Sequence, residues 1–184
     1  MKNITSLLGV LFIIFTTSCE GPVGQDGFDG LDGNNGKDGG IAYSKVLEIE
    51  DDFTNTNDYT IKYQFPSTVE VFESDLVLVY LLFKTINDTN GETVDVWRLL
   101  PQTRILDQGL LQYNYDHTYF DVNIFLEADF NLSTLPTGDT HNQVFRIAII
   151  PGEFVQGSKL NKHKLSSVMQ RLGVTEKDIQ RVKL

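Results

Sequence analysis

The 184-residue chain has one cysteine, three histidines, one tryptophan and five prolines, and its 25 aspartates and glutamates outnumber 15 lysines and arginines. A single cysteine excludes an internal disulfide framework and any zinc site built from paired cysteines. His117, His141 and His163 lie far apart, and none has the His-x-x-x-His spacing of a helical metal site. A net charge of −10 argues against a phosphate-binding surface, which needs clustered Lys and Arg, so no nucleic acid is expected as a partner. The basic run from Lys159 to Lys183 is interrupted by Glu176 and Asp178 and reads as a solvated helical face. The apolar run Leu7 to Phe15 is far short of the about 20 residues that cross a bilayer. Missing too are a Gly-x-Ser-x-Gly elbow, a phosphate loop and a dinucleotide fingerprint, since the Gly-x-x-Gly spacings in the first forty residues precede no helix. What is present is 41% hydrophobic and 11% aromatic residues, enough for the packed core of one ordinary domain with appendages.

Lys2 followed by Leu7 to Phe15 reads as an export signal over residues 1–18. Thr16, Thr17 and Ser18 then lead into Cys19, and glycine recurs at every third position: Gly21, Gly24, Gly27, Gly30, Gly33, Gly36 and Gly39. Collagen demands that spacing because only hydrogen fits where three polyproline-II chains meet. Small residues before Cys19 resemble the lipobox of bacterial lipoproteins, with Thr16 where Leu is usual. Glu20-Gly21-Pro22 and the repeat resemble the bacterial collagen-like lipoproteins. The resemblance covers residues 1–40 and implies a signal cleaved before Cys19, acylation of that cysteine with chains such as palmitate, and retention on a bacterial membrane, with the outer membrane the first expectation. Several acyl chains, at about 0.8 kcal/mol per buried methylene, make a stable anchor. The resemblance implies no activity.

Residues 19–40 thus read as a lipidated cysteine with a spacer, and three readings of the repeat stand side by side. Its Gly and Asp content suits a hydrated spacer. A triple helix of about 60 Å, at about 3.1 Å per residue, would need the following domain to trimerise first, because Pro22 is the repeat's one proline. Calcium is a candidate cofactor at Asp26, Asp29 and Asp32, since hard cations favour clustered oxygens, yet no Glu stands at the twelfth position of an EF-hand loop. No other metal or cofactor is expected.

Residues 41–184 read as an all-β domain, an antiparallel sandwich of jelly-roll-like or immunoglobulin-like kind with a short C-terminal helix. Period-two alternation predicts strands over Tyr43–Glu50 and Tyr59–Phe65, the latter ended by Pro66. Leu76–Phe83 is almost continuously apolar, as a central strand covered on both faces would be. Asn90-Gly91 predicts a primed hairpin turn before a partner strand Thr93–Leu100. Thr103–Leu106 and Leu110–Tyr115 flank a turn at Asp107-Gln108-Gly109, and Tyr119–Ala128 and Val144–Ile150 complete the set. Leu165, Val168, Met169 and Leu172 predict a helix over Lys164–Leu172 capped by Gly173 and packed on the sheet. Thr175 and Asp178 suit a further helical turn, while Ile179–Leu184 suits a last strand.

Chemistry is sparse. Asp139 and His141 could join a serine but read as turn residues, and acid pairs such as Glu127 with Asp129 include none that stands out as a glycosidase pair. Trp97 with Arg98 is the candidate ligand-binding pair, able to stack a sugar ring or anchor a protein; the opposing reading packs Trp97 in the core. Tyr113, Tyr115, Tyr119 and Phe120 carry the same two readings. Leu99-Leu100-Pro101 suggests a strand leaving a sheet at its edge. The expected function is a membrane-anchored, surface-displayed structural or binding lipoprotein without catalysis, a candidate homotrimer. The alternatives are a carbohydrate-binding or adhesive module with a glycan or protein partner, and a hydrolase with an unrecognised carboxylate site.

Overall fold

The computed structural model describes residues 45–184 apart from 156–159. The signal, Cys19, the glycine repeat and Asp26, Asp29 and Asp32 lie outside the described residues. The chain divides into Met1–Asp38 and Gly39–Leu184, and the described strands and helices all belong to the second unit.

Alternation decides which way each strand faces. In β1 (Lys45–Asp51), Leu47 and Ile49 are buried on one face and Val46 on the other, beside Glu48. β2 (Thr60–Gln64) buries Ile61 and Tyr63 and exposes Lys62 and Gln64. β3 (Leu76–Asn87) buries every residue from Val77 to Leu81, so both its faces are covered. It continues four residues beyond the expected run and pairs with β4 (Thr93–Leu99). β5 (Gln102–Leu106), β6 (Gly109–His117), β7 (Asp121–Ala128) and β8 (Gln143–Ile150) lie where the pattern predicts strands. The Leu106–Gly109 pair closes a two-residue turn, and Gly109, at φ 141°, meets Asp129 so closely that a Cβ would overlap its carboxylate.

Two sheets result, in the orders β4-β3-β8-β1-β9 and β2-β7-β6-β5, where β9 is Gln180–Lys183. Pairing is antiparallel except between β1 and β9. The inner faces enclose a core of Leu47, Ile49, Ile61, Val79, Ile124 and Ile147, with Phe53 edge-on to Tyr113 and Phe145 at 6.1 and 6.0 Å. A second core lies on the other face of the five-stranded sheet, where Val46, Leu78, Tyr80, Ala148 and Ile150 meet Leu165, Val168, Met169 and Leu172. Those four belong to α2 (Leu165–Leu172), which follows the one-turn α1 (Gly152–Val155). Gly173, at φ 66°, stops α2 and donates its N–H to Gln170 and Met169 carbonyls. The expected helix is thus present, on the sheet.

Two local expectations need correcting. The β3–β4 connection is no two-residue primed turn: it runs over five residues, 88–92, and only Gly91 has positive φ there. The Asp88 carboxylate accepts the N–H groups of Asn90 and Glu92, each at 2.8 Å, and so organises a longer loop. Thr175 starts no helix either. Its N–H and hydroxyl both donate to Asp178 Oδ2, at 2.8 and 2.6 Å, closing a turn that delivers the chain to β9.

Leu100-Pro101, a cis peptide, carries the chain from edge strand β4 to edge strand β5 of the other sheet, as its sequence suggests. β1 begins at Lys45, whose Nζ donates to Thr68 O at 3.0 Å. The β2–β3 loop and the β6–β7 turn share this end, joined by Phe65 N–H to Phe120 O at 2.8 Å.

Candidate functional site

A cleft of about 370 Å3 opens between α2 and β4, lined by Asp95, Trp97, Arg146, Leu165, Met169 and Glu176 among others. It exists because β4 is an edge strand among the described residues, and α2 leaves its helix-facing side chains partly open.

The floor is an ionic network set by strand register. Glu48 stands opposite Arg146 across β1–β8, and Arg181 stands opposite Glu48 across β1–β9. Arg146, 3% exposed, donates from Nε to Glu48 Oε2 at 2.8 Å and from Nη1 and Nη2 to the two Glu176 oxygens at 2.7 Å each. Arg181 adds a bond to Glu48 Oε1 at 2.9 Å. The Arg146 guanidinium also lies over the Trp97 ring, 4.2 Å from its centroid. Burial alone would lower the Arg146 pKa, but its hydrogen bonds to Glu176 and Glu48, together with their charges, outweigh burial and push the pKa up. Arg146 is therefore a fixed cation, its planar fork occupied by two carboxylates.

Trp97 is half-buried against the helix-side core, so it belongs neither to the inter-sheet core nor to a free aromatic platform. Arg98 points to the opposite face, where its guanidinium lies 3.4 Å from the Phe83 centroid. The structure does not bring these two side chains together. Arg104 approaches Phe83 too, at 5.8 Å, and forms an ion pair with Asp139, which is 3% exposed. Tyr113 donates its hydroxyl to Asp139 O at 2.8 Å. Burial pushes the Tyr113 phenol up to about 12, against the lowering effect of Arg104.

The other expected residues scatter. Tyr115, half-buried, donates to Val77 O at 3.1 Å, whereas Tyr119 and Phe120 are exposed. His117 stacks on Tyr115 at 6.4 Å, His141 Nδ1 bonds Thr140 Oγ1 at 2.9 Å, and the His163 N–H donates to Asn161 Oδ1 at 3.2 Å. Glu127 accepts from Asn114 at 2.7 Å and Asp129 accepts the Leu110 N–H at 2.8 Å, so each carboxylate has its own partner. Among the described residues no group of three or more His, Cys, Asp or Glu could hold a metal ion. In the cleft, Glu176 is held by Arg146 and Arg181, and Asp95 accepts from Thr85 at 3.1 Å. Arg146 and Glu176 are paired, Asp95 is bonded to a hydroxyl, and the Trp97, Leu165 and Met169 surfaces are apolar, which suits holding a side chain more than moving a proton.

Sequence reasoning missed Arg146, although an arginine inside Val-Phe-Arg-Ile-Ala-Ile-Ile signals a buried, partnered charge. Nothing in Thr-Gly-Asp-Thr marks Asp139 as buried. No protein-family model matches the chain, no curated protein matches it, and no solved structure matches it.

Proposed function

We propose that this protein is a lipid-anchored binding protein of a bacterial envelope: Cys19 is acylated, the glycine repeat is the spacer, and the β domain is the head that it carries. The observation that carries this reading is the order of sequence features: an apolar run over Leu7–Phe15, small residues before the one cysteine, then glycine at every third position. The head, read as a jelly-roll-like or immunoglobulin-like sandwich, supports it in one respect: its lined cleft suits recognition of a partner side chain, its buried Arg146 being paired with Glu176. The role is recognition or structure, without catalysis.

The test is metabolic labelling of the full-length chain with a palmitate analogue in a lipoprotein-processing bacterium. The expected result is label and membrane fractionation in the parent, and loss of both in Cys19→Ala. Equal membrane recovery of an unlabelled Cys19→Ala chain would sink the anchor. Light scattering of the detergent-solubilised mature protein then reads the oligomer: a trimer supports a triple-helical stalk, and a monomer leaves a single-chain spacer.

A further inference from the structure

Three large aromatic side chains stand in solvent at the end of the head where β1 begins: Phe72 at 57%, Tyr119 at 57% and Phe120 at 59% exposure. The β6–β7 turn is built so that its backbone is satisfied while two rings face out. Thr118 Oγ1 accepts the Phe120 N–H at 3.0 Å and donates to Asp121 Oδ1 at 2.5 Å, and the Thr118 N–H donates to Asp121 O at 2.9 Å. The Tyr119 and Phe120 rings lie 3.9 Å apart, one compact knob. In the β2–β3 loop, Val69 and Val71 are buried and Phe72 is not. Asp75 fixes the Phe72 backbone, accepting its N–H at 3.0 Å and donating its own N–H to Phe72 O at 3.0 Å. Lys45 bonds Thr68 in this same loop. β1 therefore begins at the same end as the three rings, and 26 residues, 19–44, separate it from Cys19 in sequence.

We propose that this end of the head docks on the bilayer that holds Cys19, with Tyr119, Phe120 and Phe72 seated at the headgroup level; the proposal rests on the lipid-anchor reading above. Aromatic rings collect at that depth because an apolar body and a polar tip are both accommodated there, as Tyr119 requires. A Gly-rich coil of this length spans about 28 Å, taking about 5.5 Å × √n. Such a tether holds the head at an effective concentration of order millimolar at the surface, so three rings suffice where a free domain would leave. Glu70 and Glu73 flank Phe72 and favour zwitterionic over anionic headgroups. A rigid triple helix of about 60 Å would hold the head off the surface, so docking and the extended stalk exclude each other.

The experiment couples the mature chain, residues 19–184, through the Cys19 thiol to maleimide-bearing phosphatidylcholine vesicles whose acyl chains are dibrominated. Coupling replaces acylation, so failure of the anchor reading, seen separately in the mass of the N-terminal peptide, leaves this result readable. Tyr119→Trp adds a reporter at the aromatic knob, and Ile105→Trp adds one on an 86% exposed residue near the opposite end. Each is compared with the parent, whose Trp97 sets the baseline. The expected result is at least twofold quenching of the added signal at 119 and none at 105, with the 119 quenching halved by Phe72→Ser with Phe120→Ser. Equal quenching at the two positions, or none at 119, overturns the proposal.

Discussion

The two faces of the five-stranded sheet solve one problem in different ways. Phe145 and Arg146 are neighbours in β8, both buried, and point to opposite sides. Phe145 enters a core supplied by strands from both sheets, where hydrocarbon meets hydrocarbon. Arg146 enters the side covered by α2, and there dimensions decide the chemistry. An eight-residue helix is about 12 Å long and about 10 Å wide, whereas five strands about 4.8 Å apart span about 19 Å. The helix covers part of its sheet face and the remainder needs another lid. Arg146 provides it, spanning Glu48 and Glu176 with its flat face on Trp97. A buried charge is tolerable there because each arm of its fork is bonded.

The largest effect is expected on the inter-sheet side. Phe145→Ala removes a ring packed edge-on against Phe53 and leaves a void that strands on both sides prevent from collapsing, at about 4 kcal/mol. The urea midpoint should fall with the slope unchanged. Arg146→Ala should cost about 3 kcal/mol, because it leaves Glu48 to Arg181 alone and opens the Trp97 ring to water. The figure is the smaller because Glu176 is 61% exposed and rehydrates readily. An Arg146→Ala loss below about 1 kcal/mol would mean that the network closes nothing, and the comparison would fail.

These contrasts mark what the sequence could and could not convey. Leu76–Phe83 reads as a doubly covered strand because continuous burial leaves a continuous apolar run, and the structure covers it on both faces. Alternation in Thr60–Gln64 conveys a one-sided strand for the same reason. The α2 stripe and Gly173 are local signals and are equally legible. What periodicity does not carry is which face a half-buried residue shares with which strand. Trp97 and Arg98 are adjacent in sequence, and adjacency in a strand guarantees opposite faces, so that pair was separable in principle. Partners such as Arg104 with Asp139, 35 residues apart, arise only when two connections meet in space, and no local pattern announces them.

The smallest effect sharpens the comparison most, since each face holds a buried tyrosine whose hydroxyl donates to a backbone carbonyl. Tyr80 donates to Lys162 O at 2.5 Å on the helix side, and Tyr113 to Asp139 O at 2.8 Å between the sheets. Burial raises both phenols, Tyr113 to about 12 from 10.0. Below pH about 10 the phenol is neutral in the folded and unfolded chain alike, and its contribution to stability is complete. Between about 10 and 12 the unfolded chain loses the Tyr113 proton while the folded one keeps it, so stability falls as pH rises, by up to about 1.4 kcal/mol per unit. Tyr113→Phe should cost about 1 kcal/mol at pH 8, the worth of one hydroxyl bond, and then lose stability less steeply than the parent above pH 10. Urea midpoints at pH 8, 10 and 11 read both effects. Parallel pH curves for parent and variant would show that the Tyr113 phenol does not resist ionisation, and would leave the alkaline sensitivity to the other phenols that burial raises, Tyr80 on the helix side and Tyr63 and Tyr115 between the sheets.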